Sequence, residues 1–246
     1  MSAFRSTCAG FNPLAKLSVL ALAAAASTVW AAEPLIVGVQ APITGQYANE
    51  GQGIADAVKL LVKQQNAKGG LLGRQLEVKV CDDQGQAAPA AICARQLIND
   101  KAFAIIGSYT SGAALAALSL YARANVIQTS DGTSDELTAK GVKTFFRNAP
   151  PNSAEAVFTA QYFKDKGYKK VAIVTDHSSF ATGLADAVAA EVKKAGGQVI
   201  EKAFIEAGSQ NYTPVLTKLK GLNPDVVYFS GYYNDGGLIK AQMAQL

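Results

Sequence analysis

Leu35-Ile36-Val37-Gly38-Val39 is an unbroken apolar run rich in β-branched residues, the composition of a strand buried on both faces and so of a parallel sheet. Outward from it, strands and helices alternate. A helix is expected over 51–66, stopped where Lys68-Gly69-Gly70 permits a left-handed turn. Strands follow at Leu76 to Cys81, Ala104 to Gly107, Val126 to Thr129 and Thr144 to Arg147, with helices at Pro89 to Asn99 and Gly112 to Ala124. Ala149-Pro150-Pro151-Asn152-Ser153 interrupts the rhythm, because paired prolines sit in neither a central strand nor a helix interior. It reads as a lobe boundary.

A second series then begins: helix Ser153 to Lys166, strand Val171 to Thr175, helix 181–195, strand Val199 to Phe204, helix Tyr212 to Leu219, strand Val226 to Ser230, and a helix from Gly236 onward. Alternation of this kind specifies an α/β fold in which each lobe is a doubly wound parallel sheet flanked by helices. The organisation expected is a leader over 1–31, a first lobe over 32–149 and a second over 150–246. Gln242-Met243-Ala244-Gln245-Leu246 supplies no glycine or polar tail to end its helix, so the chain reads as truncated, with the C-terminal part missing. Exposed apolar surface on both lobes and marginal stability are the corresponding expectations.

Arg5 and Lys16 precede an apolar stretch, Leu17 to Ala26, and Val29-Trp30-Ala31 supplies a small-residue cleavage pattern. This is the form of a secretory signal cleaved near Ala31, with an uncleaved anchor as the alternative. Export follows. The formal charge is +4, or +2 without the first 31 residues, and the charges are scattered singly. That excludes the basic patch of a nucleic-acid partner. Cys81 and Cys93 form an even pair in an oxidising compartment, for which a disulfide is expected and two buried thiols are the alternative. No Cys/His cluster exists to hold a metal.

Ligands of open parallel sheets bind beyond the carboxyl ends of the strands. In the first lobe the loops there are 41–50, 108–113 and 130–135. Ser111-Gly112-Ala113 opens a helix whose free N–H groups suit an anion such as a carboxylate, although Ser111 can equally be an ordinary N-cap. Asp131-Gly132-Thr133 offers a hydroxyl, an N–H and an acid for an ammonium, against a plain turn role for Asp131. The second lobe carries Phe180, Tyr232 and Tyr233 in glycine-rich loops, positioned to close over a ligand, with packing within the lobe as the alternative for each.

The first strand is not followed by Gly-x-Gly-x-x-Gly, and no phosphate-binding Gly-Lys-Ser/Thr loop occurs, so no nucleotide cofactor is expected. His177 is the only histidine and no Gly-x-Ser-x-Gly elbow accompanies it, which leaves an exported hydrolase a weak reading. Adjacent Asp82-Asp83 reads as capping and turn residues, not as a metal pair.

Several separated motifs, in order, resemble one family: Pro42-Ile43-Thr44-Gly45, Asn66 through Arg74, Asp82-Asp83-Gln84, Ile105-Ile106-Gly107, Glu136-Leu137-Thr138, Phe146-Arg147, Tyr212-Thr213, Asn223-Pro224-Asp225 and Gly231-Tyr232. The chain from about Pro34 to Leu246 is similar to the periplasmic solute-binding proteins of the branched-chain amino acid type, with the two-lobed type I periplasmic-binding fold. The resemblance implies a non-catalytic monomer, without cofactor, that captures an amino acid, amide or related small polar solute and delivers it to an ABC transporter permease in the inner membrane. A sensor reporting to a receptor is the second reading. By the same resemblance Ser111 and Gly112 meet the ligand carboxylate, Thr133 beside Gly132 meets carboxylate and ammonium, and the Asp131 carbonyl takes the ammonium. Phe180 stands where the family usually has tyrosine, and Tyr232 is the opposing aromatic. Two positions depart from the pattern. Asp131 replaces a small residue, and Glu50 stands in the loop where tyrosine is common, which together imply a more polar or cationic ligand than leucine.

Overall fold

The computed structural model describes residues 33–246. The expected signal, with Arg5, Cys8 and Lys16, lies outside the described residues. The first parallel sheet is built from β1 (Leu35–Ala41), β2 (Leu76–Asp82), β3 (Ala102–Ile106), β4 (Ile127–Ser130) and β5 (Phe145–Arg147), in the order β2-β1-β3-β4-β5. Its helices are α1 (Ala48–Ala67), α2 (Ala87–Asn99), α3 (Ser111–Arg123) and the single turn α4 (Glu136–Ala139). The apolar run of β1 is used on both faces. Val37 and Val39 pack with Ala55 and Val58 of α1, whereas Ile36 packs with Leu97 and Tyr121 beneath α2 and α3. Side chains such as Leu97 and Ile105, fully enclosed here, contribute about 1.5–3 kcal/mol each by leaving water.

The second sheet comprises β6 (Lys170–Thr175), β7 (Gln198–Phe204) and β8 (Val226–Ser230), all parallel, in the order β7-β6-β8. α5 (Asn152–Asp165) and α6 (Ser179–Lys194) cover one face, and α7 (Thr213–Gly221) and α8 (Tyr233–Met243) the other. In each sheet the strand order reverses beside the first strand of its series, which opens a crevice at the carboxyl ends. Asn152 N–H donates to the Thr133 carbonyl at 2.8 Å, and the Asp135 carboxylate accepts from Ser153 N–H and Oγ at 3.0 and 2.6 Å. Asp135 thus caps the helix that starts the second series.

Most boundaries agree with the sequence reading to within one or two residues, and the structure departs from it further at three places. α1 begins at Ala48, so Glu50 lies in a first helical turn and not in a loop. Gly51 makes this possible, because a Cβ there would meet the Pro42 carbonyl at 2.0 Å. α8 begins at Tyr233, three residues early, with Asp235 buried in its first turn and accepting from Gly208 N–H at 2.8 Å and the Tyr212 hydroxyl at 2.6 Å. Glu136–Ala139 forms a turn of helix between β4 and β5, where the sequence reading has no element.

Cys81 and Cys93 are bonded, with 5.6 Å between their Cα atoms, and tie the end of β2 to α2. Below the crevice a buried polar cluster fastens β1, β2 and β3. Asp83 accepts from Gln40 Nε2 at 3.2 Å, from Gly85 N–H at 2.9 Å and from Ser108 Oγ, while the Tyr121 hydroxyl donates to Gln40 Oε1 at 2.6 Å. Burial pushes the Asp83 carboxyl above its ordinary range, against the lowering effect of these donors. Its neighbour Asp82 fills the expected turn role, accepting from Ile43 N–H, Thr44 Oγ1 and Gln84 N–H. Gly107 is obligatory at the end of β3, with φ of +116° and the Gln40 carbonyl 1.8 Å from where a Cβ would stand.

Apolar surface remains open beside both sheets. A cavity of about 350 Å³ is lined by Val37, Val58, Leu61, Val62 and Ile106, and one of about 530 Å³ by Val227, Phe229, Ile239 and Met243.

Candidate functional site

The carboxyl ends of β3, β4, β6 and β8 converge on a cavity of about 190 Å³ lined by Tyr109, Ser111, Asp131, Thr133, Phe180, Gly231, Tyr232 and Tyr233. Larger hollows exist on the outer faces of the sheets, but their linings lack this convergence of hydroxyls, an acid and aromatic rings. Convergent polar groups in a concave site mark a ligand cavity better than volume does.

α3 brings Ser111 to the rim, but Ser111 is not its N-cap. Thr110 holds that position, accepting from Ala113 N–H at 3.4 Å while its hydroxyl donates to the Gly85 carbonyl at 2.8 Å. Ser111 is the first helical residue, and its Oγ accepts from Ser134 N–H at 3.2 Å. The N–H groups of Ser111 and Gly112 belong to the first turn, which the helix itself leaves unpaired, so they carry the positive end of its dipole toward the cavity. Gly132 N–H is already taken by Ser130 Oγ at 3.0 Å. Gly132 therefore shapes the loop, and a Cβ there would press on Leu137 at 2.9 Å.

Asp131 is mostly enclosed, and burial raises its carboxyl to about 6. No ion pair reaches it among the described residues. The remaining wall is aromatic. Tyr232 lies 5.2 Å from Phe180, 4.5 Å from Tyr47 and 5.9 Å from Tyr109, centroid to centroid, all tilted. Offset contacts of this kind are favourable beyond their area. Phe180 does both things the sequence allowed, since it lines the cavity and also packs on the α5–α6 core. Burial raises the Tyr109 hydroxyl to about 12, and nearby Glu50, Asp131 and Tyr233 add to it. Tyr232 is raised further, by burial first and then by Tyr47 and Asp176.

Of the residues expected at the site, Ser111, Asp131, Thr133, Phe180 and Tyr232 come together, with Gly112 and Gly132 beside them. Glu50 does not line the cavity. Its carboxylate accepts the Tyr233 hydroxyl at 2.9 Å. Tyr47 and Tyr109 were not singled out from sequence, although each is an aromatic within a Gly/Ser/Thr-rich loop at a strand's carboxyl end. His177 is exposed, stacked 4.9 Å from Phe204, and 3.8 Å from Glu206. No serine hydroxyl bonds to it among the described residues.

The model of a family described as periplasmic binding protein matches residues 34–246. A Leu/Ile/Val-binding protein homolog of Brucella melitensis is 31% identical over 211 residues, covering 85% of this chain and 57% of that protein. The branched-chain amino acid transporter substrate-binding protein LivJ of Streptococcus pneumoniae, solved with isoleucine, aligns with a TM-score of 0.77 at 30% identity, covering 86% of this chain and 61% of that one. An ABC transporter solute-binding protein of Rhodopseudomonas palustris, solved with 3,4-dihydroxybenzoic acid, aligns with a TM-score of 0.75 at 25% identity, covering 86% and 58%. The chain thus spans about 57 to 61% of the length of these relatives.

Proposed function

The chain belongs to the periplasmic binding protein family, and from that membership we propose that it captures an amino acid or related small polar solute in the interlobe cavity and hands it to an ABC importer. The observation that carries this reading is the cavity itself, placed where the carboxyl ends of strands from both sheets meet. In this reading 32–149 and 150–246 are the two lobes, and ligand is held between them by closure about the Asn148 to Asn152 crossing. A carboxylate sits against the first turn of α3, taken by the Ser111 hydroxyl, which donates to it while accepting from Ser134 N–H, by the Gly112 N–H and by the Thr133 hydroxyl, where the dipole favours negative charge. An ammonium sits at the Asp131 carbonyl. Phe180 and Tyr232 cover the ligand and exclude water.

The protein acts without catalysis or cofactor, as a monomer, in the periplasm after cleavage of the leader near Ala31. The permease of the inner membrane reads the closed form.

Calorimetric titration of the purified chain with amino acids, amides and small aromatic acids tests the reading. Saturable binding that Ser111→Ala weakens by about tenfold supports it, since a charge-assisted hydrogen bond is worth that much. Absence of binding across the panel, or binding indifferent to both Ser111 and Thr133, overturns it.

A further inference from the structure

Thr133 brings one wall of the cavity from the first series of elements, and Phe180 brings another from the second. A residue outside the lining holds both. Asn152, the first residue of α5, is 1% exposed. Its backbone N–H donates to the Thr133 carbonyl at 2.8 Å, and its side-chain Nδ2 donates to the Phe180 carbonyl at 3.1 Å. Each anchor is itself braced. Arg147 Nη1 donates to the Ser134 carbonyl at 2.9 Å and to the Thr133 carbonyl at 3.4 Å. Ser230 Oγ donates to the Ala181 carbonyl at 2.7 Å and fastens the same turn of α6 to β8.

An ordinary capping role does not account for this side chain. Pro151 occupies the N-cap position of α5, and the Asp135 carboxylate already accepts from Ser153 N–H. Two local costs also accompany it. Asn152 Oδ1 is buried with no hydrogen-bond partner among the described residues, which is unfavourable. Gly183 faces it from α6, where a Cβ would stand 3.2 Å from Nδ2, and glycine weakens a helix. The bonds that these costs accompany join the two walls. Pro150 and Pro151, with their fixed φ, make the segment leading into Asn152 stiff. We infer that Asn152 is a positioning residue for solute binding: by holding Thr133 through its backbone and Phe180 through its side chain, it sets the separation of the two walls before the solute arrives. Walls ordered in advance spare binding the entropy of ordering them.

The inference rests on the interlobe cavity being the solute site, and the experiment separates the two. Asn152→Leu keeps the volume and the backbone N–H, deletes the Nδ2 donor and removes the partnerless oxygen. The Phe180 carbonyl keeps its helical partner within α6. Calorimetry uses leucine, glutamine and benzoate as probes, on the parent protein, Asn152→Leu, Phe180→Ala and the double variant. The expected result is that at least one probe binds the parent and that Asn152→Leu weakens it about five- to tenfold, with the melting temperature unchanged to within about 2 °C. In the Phe180→Ala background the same substitution should weaken binding by less than about twofold, because its action passes through Phe180. Parent-like affinity in Asn152→Leu, a loss by the same factor in both backgrounds, or a loss that only follows a fall in melting temperature overturns the inference while leaving the solute site standing. If none of the three probes binds the parent, the site reading fails and the inference with it. Should Phe180→Ala bind too weakly to measure, Phe180→Leu replaces it in the cycle; should Asn152→Leu fail to fold, as far-UV circular dichroism would show, Asn152→Ala replaces it.

Discussion

The Tyr233 hydroxyl donates to the Glu50 carboxylate at 2.9 Å, joining the first turn of α8 to the first turn of α1 across 183 residues. Beside it Asn234 Nδ2 donates to the Gln46 carbonyl at 2.7 Å. Both bonds run from the second series of elements to the first, next to the cavity, so on the proposed reading they act on closure more than on the stability of either sheet. Tyr233→Phe should weaken ligand affinity by about two- to fivefold, the worth of one partly exposed hydrogen bond. The loss should appear in the dissociation rate, with the melting temperature unchanged. Stopped-flow and calorimetric measurements check this, and an equal fall in thermal stability would assign the bond to the fold instead.

Asp131 predicts a pH dependence of stability. Its folded pKa is raised to about 6 from an ordinary carboxyl value, because burial penalises the charged form. The folded state therefore binds the proton more tightly than the unfolded one. Stability from this group is complete below the unfolded pKa and is lost as pH rises through about 6. The facing groups are Tyr109, Tyr232 and Tyr233, with Glu50 and Asp176 behind them, and among the described residues no ion pair reaches the carboxyl. Asp131→Asn should stabilise the ligand-free protein by about 1 kcal/mol at pH 7.5, after discounting for solvent screening, and by almost nothing at pH 4. Thermal melts at the two values check the sign.

Most of the framework was legible because its signals are local. The Leu35 to Val39 run, the Lys68-Gly69-Gly70 stop and the Pro150-Pro151 break each report on backbone chemistry within a few residues. Boundaries failed where a distant partner sets them. α8 reaches back to Tyr233 because Asp235 is held by Gly208 and Tyr212, and α1 starts at Ala48 because Gly51 lets it close on Pro42. Loop composition at strand ends singled out Ser111, Asp131 and Thr133, which line one cavity. The geometry of Glu50 and the enclosure of Tyr47 depend on which side chain arrives from the other sheet, and nothing in their own neighbourhoods encodes that.

The Cys81–Cys93 bond closes a loop with a sequence separation of 12. On the chain-entropy account such a bridge contributes about 2–3 kcal/mol by restricting the unfolded chain. Replacing both residues with serine should lower the melting temperature by roughly 5–10 °C. The double variant compared with the oxidised parent under otherwise identical conditions is the measurement. Ligand affinity should change little, because the bond lies among β2 and α2 and not in the cavity lining.

Asp83 should be the costliest side chain to remove beneath the site. It is fully buried and receives Gln40, Ser108 and the Gly85 N–H, which are left without an acceptor once the carboxylate is gone. Unsatisfied buried donors cost about 1–3 kcal/mol apiece before relaxation or entry of water. Asp83→Ala should therefore destabilise by about 3 kcal/mol, whereas Asp83→Asn, which keeps an acceptor oxygen and the same volume, should cost less than half as much. The cluster also fixes the turn from β3 into α3, since Ser108 lies three residues before Ser111 and its carbonyl accepts from Ser130 Oγ at 2.6 Å. Loss of Asp83 should accordingly loosen the loops that carry Ser111 and Asp131, so affinity falls together with stability. Urea unfolding and calorimetry on the same samples distinguish this from a purely structural role, in which affinity per folded molecule would stay constant.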